Sequence, residues 1–168
     1  MNTNLLFDFS INKENNTIRV QREFNAGLEL VWKAWTTAEL LNQWWGPKPC
    51  HIETKTMDFR EGGYWHYAMI VPNTGTFWSR VNYITIIEER SFLSKDGFCD
   101  EHGEMDPAFS QNLWECTFEE VGDKTLVDIL YTFDTLAGLE QTIAMNFKNG
   151  FTTGLQQLDG LLAKLSEK

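Results

Sequence analysis

The chain has 168 residues, the length of one domain, and 42% of them are hydrophobic, including 7 Trp, 4 Tyr and 12 Phe. Its net charge of −10 and its lack of a basic cluster argue against nucleic acids, whose binding depends on counterion release, and against anionic membrane surfaces. No apolar stretch is long enough to cross a bilayer and the N-terminus does not resemble a signal peptide, so membrane insertion is not expected.

Cysteine and histidine usage indicates neither a disulfide framework nor a metal site. Cys50, Cys99 and Cys116 are odd in number and irregularly spaced, as is typical of free thiols in a reducing compartment. Cys50 and His51 are adjacent, but no CxxC or HxxxH pair accompanies them. The chain also lacks a phosphate loop and a GxSxG elbow. We therefore expect a cytoplasmic protein without a metal or a cofactor.

The first predicted elements are one strand and two short helices. Residues 17–24 alternate between apolar and polar side chains, as a half-buried strand does, although Arg22 interrupts the apolar face. Apolar residues then recur at i, i+3, i+4 and i+7, as on one face of a helix: Leu28, Val31, Trp32 and Trp35. Thr36 and Glu39 have the spacing of a capping box, which predicts a second helix that ends near Gly46.

Strand patterns dominate the middle of the chain. Residues 51–59 predict a weak strand, and residues 64–71 and 76–87 predict two strongly β-prone strands, joined to each other by turn-forming residues. Residues 113–121 and 125–133 each alternate around a Gly-Asp turn. This pair predicts an antiparallel hairpin with one buried face.

The segment at residues 94–112 is predicted to be a mobile loop or a lid, because it contains two glycines and a proline and is long. Its carboxylates lack the alternating pattern of a calcium-binding EF-hand. They are expected to form a solvated charge run: Asp96, Asp100, Glu101, Glu104 and Asp106.

One long C-terminal helix is predicted from about residue 137 to residue 165, where apolar residues follow one another at steps of three or four. Gly150, Gly154 and Gly160 lie inside it, and each costs roughly 1 kcal/mol relative to alanine in a helix. They indicate close approach to another backbone or space left for another group. Strands grouped apart from helices predict the α+β class, with an antiparallel sheet covered by helices on one face.

Several motifs, taken in chain order, resemble a known family. They are Val31–Thr36, Leu40–Pro47 with its WWGP sequence, Asp58–Trp65 with its paired glycines, Gly150-Phe151 and Leu158–Leu162. The chain thereby resembles the family named for the activator of heat-shock protein 90 ATPase, within the START-like, SRPBCC helix-grip superfamily. The resemblance covers roughly residues 17–165, so residues 1–168 are interpreted as a single domain. Phe151 departs from the family, in which tryptophan is usual at that place.

The resemblance implies a curved antiparallel sheet wrapped around the long C-terminal helix, with two short helices after the first strand. It also implies a cavity between the sheet and the helix, since members of the superfamily bind lipids, sterols, polyketides and other apolar molecules. The predicted function is therefore binding of a small hydrophobic ligand, which is lipid, sterol-like, or aromatic and polyketide-like. Both a monomer and a homodimer are compatible with this prediction.

The candidate ligand-binding residues are ten aromatic side chains and two arginines. The rings are those expected around the cavity: Trp35, Trp44, Trp45, Trp65, Tyr67, Trp114, Phe118, Tyr131, Phe147 and Phe151. Each ring can present a face to a ligand, but packing in the core is the commoner role of an aromatic residue. Arg60 and Arg80 are predicted to be polar partners of a ligand, although a salt bridge is the commoner role of an arginine.

Two other functions stay open at this point. The family name derives from a co-chaperone, so one alternative is an interaction module that stimulates a heat-shock protein 90 ATPase, with that chaperone as its partner. The other is a cyclase-like or lyase-like enzyme in which His66, Arg60 or Arg80 acts beside Tyr67. Strand alternation places His66 opposite Trp65 and Tyr67. This placement favours an outward-facing or structural histidine over a catalytic one.

Overall fold

The computed structural model describes residues 5–166, which form one antiparallel sheet of eight strands with four helices. The strands are β1 (Phe7–Asn12), β2 (Thr17–Phe24), β3 (His51–Met57), β4 (Tyr64–Val71), β5 (Gly75–Ile87), β6 (Ser91–Cys99), β7 (Asn112–Val121) and β8 (Lys124–Thr132). The helices are α1 (Leu28–Thr36), α2 (Ala38–Trp44), α3 (Leu136–Ala144) and α4 (Phe147–Ser166). The spatial order of the strands is β1-β2-β8-β7-β6-β5-β4-β3, so strands from near the two ends of the chain, β2 and β8, pair directly.

The helices cover the apolar face of the sheet. In β7, Trp114, Cys116 and Phe118 are buried, whereas the side chains between them are exposed. The buried face meets α1, since the ring centroids of Trp32 and Phe118 are 5.0 Å apart. On the other side of the core, Leu158 of α4 is fully buried. This arrangement confirms the predicted α+β helix-grip fold.

The start of the chain differs from the prediction in two places. Strand β1 has no counterpart in the prediction, because it is an edge strand whose side chains are mostly exposed and give little apolar alternation. The capping box is wrong: the Thr36 hydroxyl donates instead to the carbonyl oxygen of Trp32, 2.7 Å away. Helix α2 begins after Thr37, whose side chain makes no capping hydrogen bond.

The predicted C-terminal helix is divided in two. Helix α3 ends before Met145, and α4 begins after Asn146, which has a φ of 65°. Asparagine tolerates this left-handed conformation better than most residues, so a helical spacing of apolar residues continues across a real break. No helix within residues 5–166 combines the length and the apolar character needed to cross a bilayer.

The predicted loop at residues 94–112 is also corrected. Its first six residues belong to β6, which pairs with β5 on one side and β7 on the other. The charge of Asp96 and the glycine at position 97 mask this strand in the sequence, because both residue types are depleted in strands. Only the part that follows Cys99 is irregular until β7 begins at Asn112.

Helix α4 crosses close to the end of α2 at Gly154. A methyl group added to Gly154 would lie 3.1 Å from the carbonyl oxygen of Trp44. One turn further on, the Gln157 amide donates to the carbonyl oxygens of Trp44 and Gly46, at 3.1 and 2.9 Å. Gly160, in contrast, is exposed, and no atom from elsewhere in residues 5–166 lies within 4 Å of the same position.

We expect Gly160→Ala to raise the free energy of unfolding by about 0.5–1 kcal/mol, because alanine is the better helix former and meets no steric obstacle. Gly154→Val should lower it, since the added carbons would push α4 away from the Trp44 carbonyl. Urea denaturation measures both changes, and Gly160→Val controls for the helix propensity of valine. Equal effects of valine at the two positions would contradict the close approach.

Candidate functional site

A small cavity lies between the inner face of the sheet and the helices. Its volume is about 20 Å³, which is room for one water-sized group. Ten residues from α1, α2, the residue after α2 and the four strands β4 to β7 line it: Trp35, Leu41, Trp45, Trp65, Val81, Tyr83, Phe92, Ser94, Asp96 and Trp114. Most of this wall is aromatic, and four of the lining rings are among the predicted ligand-binding residues.

Trp45 is at the centre of the ring cluster. Its ring centroid lies 6.1 Å from that of Trp35, 5.8 Å from Trp65 and 6.0 Å from both Trp114 and Phe151, in edge-to-face arrangements. Trp45 directly follows the last residue of α2, so the position of this short helix places the Trp45 ring against the sheet. Edge-to-face contacts of this kind are a favoured geometry for aromatic pairs.

A second group of rings closes the cluster near the break between α3 and α4. Phe147 and Phe151 stack on each other with centroids 5.2 Å apart. Phe151 also contacts Trp114 at 5.9 Å, and Phe147 contacts Tyr131 at 5.9 Å. Phe147 and Phe151 are only half-buried, as is Trp45 at the centre of the cluster.

The cavity lining includes three residues with polar atoms that are considered together as its polar end: Trp35, Ser94 and Asp96. Asp96 accepts a hydrogen bond from the Tyr131 hydroxyl at 2.7 Å, and burial raises the pKa of Asp96 to about 7, although the hydrogen bond opposes this shift. Trp35 Nε1 and Ser94 Oγ also belong to cavity-lining residues that are 3% and 0% exposed. Neither atom has a hydrogen-bond partner among residues 5–166. Buried polar atoms without partners are rare in folded proteins, so this end of the cavity is suited to a polar group.

The tyrosines around the cluster keep their protons. Trp45 Nε1 donates to the Tyr67 hydroxyl at 3.0 Å, and the Tyr67 ring stacks on Trp65 with centroids 4.0 Å apart. Burial raises the pKa of Tyr67 to about 12 and raises those of Tyr83 and Tyr131 as well. These side chains therefore act as neutral hydrogen-bonding groups rather than as bases at neutral pH.

Several predicted site residues lie outside the cavity lining. Trp44 is completely buried in the core, where its Nε1 donates to the carbonyl oxygen of Ala34 at 2.9 Å. Phe118 is buried beside Trp32 and does not reach the cavity wall. Arg60 is at an exposed turn, and its Nε donates to Asp58 at 2.7 Å.

Arg80 lies on the outer face of the sheet, because alternation along β5 directs it away from the helices. Its guanidinium carbon is 4.0 Å from the centroid of the Tyr64 ring, and its Nη1 donates to the carbonyl oxygen of Gly103 at 3.2 Å. His66 is on the same face, with its Nε2 lying 3.0 Å from the carbonyl oxygen of Asp100. The loop after β6 thus covers this face and leaves His66 only 3% exposed.

This arrangement separates the residues proposed for catalysis. His66 and Arg80 are on one face of the sheet, Tyr67 is on the other, and Arg60 is in the exposed turn between β3 and β4. The cyclase-like constellation drawn from the sequence is therefore not assembled, because catalysis requires these groups to converge on one point.

Two residues of the polar end, Ser94 and Asp96, are absent from the sequence-based prediction. Both point into the cavity because β6 continues the alternation that starts at Phe92, which is also in the lining. The spacing Phe92, Ser94, Asp96 is the signal for them. It is weak, because neither serine nor aspartate marks a buried strand position.

Comparison with known proteins agrees with this fold. The sequence pattern of the family described as activator of Hsp90 ATPase homolog 1-like protein matches residues 25–163. A solved Mycobacterium smegmatis protein is 24% identical, with 94% of this chain and 96% of that chain covered and a TM-score of 0.86. An Arthrobacter aurescens protein is 24% identical, with 94% of this chain and 91% of that chain covered and a TM-score of 0.87. A Staphylococcus epidermidis protein is 29% identical, with 92% of this chain and 94% of that chain covered and a TM-score of 0.82.

Among curated proteins, no relative matches this chain. The solved structures share the fold along almost their full length, and the family pattern spans most of the sequence, from α1 through strands β3–β8 into α4. The chain therefore belongs to the activator of Hsp90 ATPase homolog 1-like family.

Proposed function

We propose that the protein binds a small hydrophobic molecule between the inner face of the sheet and α4, with the polar end of the cavity holding one polar group of the guest. The observation that carries the proposal is a ring-lined cavity with two buried polar atoms, Trp35 Nε1 and Ser94 Oγ, that find no hydrogen-bond partner in the described part of the chain. Apolar walls with a few converging polar groups are characteristic of small-molecule sites.

The size of the cavity narrows the class of guest. A volume of about 20 Å³ holds no acyl chain and no sterol, so a guest must displace side chains to enter. Phe147 and Phe151 are suited to move, because they are half-buried and follow the break at Asn146. A guest that takes the place of one ring keeps the aromatic contacts with Trp45 and Trp114. This favours a compact aromatic molecule over a lipid.

Binding is tested with a panel of compact aromatic compounds, fatty acids and a sterol, by thermal shift and then by titration calorimetry. We expect the aromatic compounds to raise the melting temperature and the lipids to leave it unchanged. Ser94→Val should fill the cavity and weaken binding at least tenfold without loss of stability, because valine suits a strand and removes an unpartnered hydroxyl.

Phe77→Ala is the matched control, since Phe77 is 46% exposed on β5 and does not line the cavity. It should bind as tightly as the wild type. The proposal is contradicted if no compound binds, or if Ser94→Val and the wild type bind equally well.

Stimulation of a chaperone ATPase is the second candidate, and family membership supports it. The measurement is the ATPase rate of the Hsp90 protein from the same organism, with and without a saturating amount of this chain. An unchanged rate removes this candidate and leaves the proposal of ligand binding untouched.

A further inference from the structure

The polar atoms around the cavity differ in what they can offer a guest. Trp35 Nε1–H only donates a hydrogen bond, whereas the Ser94 hydroxyl donates and accepts. Asp96 accepts when it is ionised, and one of its oxygens already accepts from Tyr131. A guest that satisfies this end of the cavity must therefore accept from Trp35 or Ser94 and also donate to Asp96 or Ser94.

The volume of the cavity limits how many atoms of a guest can make these hydrogen bonds. About 20 Å³ holds one water-sized group, so a single atom must both accept and donate. An amide is too large for this space, and an ether or a carbonyl cannot donate. An ammonium group cannot accept from Trp35, and a carboxylate would lie beside Asp96, with no Lys or Arg in the lining to compensate its charge.

A neutral hydroxyl meets all of these conditions. We propose that the guest is a phenol or an aryl alcohol whose hydroxyl occupies the polar end, beside Trp35, Ser94 and Asp96, while its ring packs against Trp45 and Trp114. This inference rests on the proposed function and adds the chemical class of the ligand. It also assigns Ser94 and Asp96 as the residues that determine specificity.

The test compares five probes of similar size by titration calorimetry: phenol, toluene, anisole, benzylamine and benzoate. We expect phenol to bind at least tenfold more tightly than toluene and anisole, because only phenol both accepts and donates at one atom. Asp96→Leu should remove this preference while binding of toluene persists. Asp96→Asn keeps an oxygen that accepts from the guest, and should retain most of the preference.

The outcomes separate this inference from the proposed function. If toluene and phenol bind equally well, ligand binding stands and hydroxyl recognition is wrong. If benzylamine or benzoate binds most tightly, the polar end recognises charge and hydroxyl recognition is again wrong. If none of the five binds and a crystal structure shows only a water molecule on Trp35 Nε1 and Ser94 Oγ, both proposals fail.

Should Asp96→Leu fail to fold, Ser94→Ala gives a second measurement. This substitution removes the Ser94 hydroxyl, which can donate and accept a hydrogen bond, and it does not increase the size of the side chain. We expect it to reduce the preference for phenol over toluene at least threefold. An unchanged preference for phenol over toluene in Ser94→Ala would overturn the assignment of Ser94 as a residue that determines specificity.

Discussion

Replacing Asp159 by alanine is expected to lower the free energy of unfolding by about 3 kcal/mol. Asp159 on α4 makes two hydrogen bonds with the Arg22 guanidinium on β2, at 2.5 and 3.1 Å. The Arg22 side chain is only 9% exposed and lies over the Phe24 ring, with its guanidinium carbon 4.9 Å from the ring centroid. The substitution leaves a buried charge without its partner, and Asp159 itself is 36% exposed, so the loss falls at the lower end of the range for such pairs.

Denaturation in urea measures this change in the free energy of unfolding. Two further variants test whether the loss comes from the buried ion pair. Arg22→Met combined with Asp159→Leu should recover most of the stability, because an apolar pair of similar volume needs no compensating charge. Glu140→Ala is the matched control: it removes the exposed ion pair with Lys13 and should cost less than 1 kcal/mol. Equal losses of unfolding free energy in Asp159→Ala and Glu140→Ala would show that the Arg22–Asp159 pair contributes no more than an exposed ion pair.

Asp96 is expected to make the protein less stable at neutral pH than at acid pH. Burial raises the pKa of Asp96 from 3.8 to about 7 in the folded protein, so the folded state holds this proton more tightly than the unfolded state. The contribution to stability is complete below pH 3.8 and is lost as the pH rises towards 7. The loss is at most about 4 kcal/mol, from roughly 1.4 kcal/mol for each pKa unit.

The measurement is the free energy of unfolding of wild type and Asp96→Asn between pH 4 and pH 8. Taking the difference removes most of the contribution of the other titrating groups, although Tyr131 and Tyr67 interact with Asp96 and keep their protons across this range. The variant should be the more stable protein at pH 8, and the two should converge near pH 4. A difference that does not depend on pH would refute the burial of an ionisable Asp96.

Ligand binding at this site is linked to the same proton. A hydroxyl guest that donates to Asp96 favours its ionised form, whereas an apolar guest favours the protonated form. Phenol affinity should therefore fall less between pH 6 and pH 8 than toluene affinity. This comparison uses the wild-type protein alone.

Local patterns along the chain were sufficient to predict most of the fold. The alternation in β2, β7 and β8 and the apolar face of α1 each follow from side chains that lie on one buried surface, and this periodicity is visible in the sequence. The family motifs then supplied the arrangement of the sheet around α4. The same resemblance predicted ring-lined contacts that include Trp35, Trp45, Trp65 and Trp114, which line the cavity.

Only the tertiary structure decided which polar residues are buried and what they meet. Arg22 interrupts an apolar strand pattern because its partner, Asp159, comes from a helix 137 residues away in the sequence. Asp96 lies in an acidic run but faces inward because β5 and β7 pair on both sides of its strand. His66 is buried on the outer face because the loop after β6 crosses it.

The physical reason is that the spacing of apolar residues shows which positions of a strand or helix are buried, but it does not show which residues cover them. Contacts between residues far apart in sequence leave no periodic trace, so the polar end of the cavity and the ion pair of Arg22 follow from packing. The break at Asn146 is similar, since the apolar spacing continues through it and only the backbone shows where α3 stops and α4 starts.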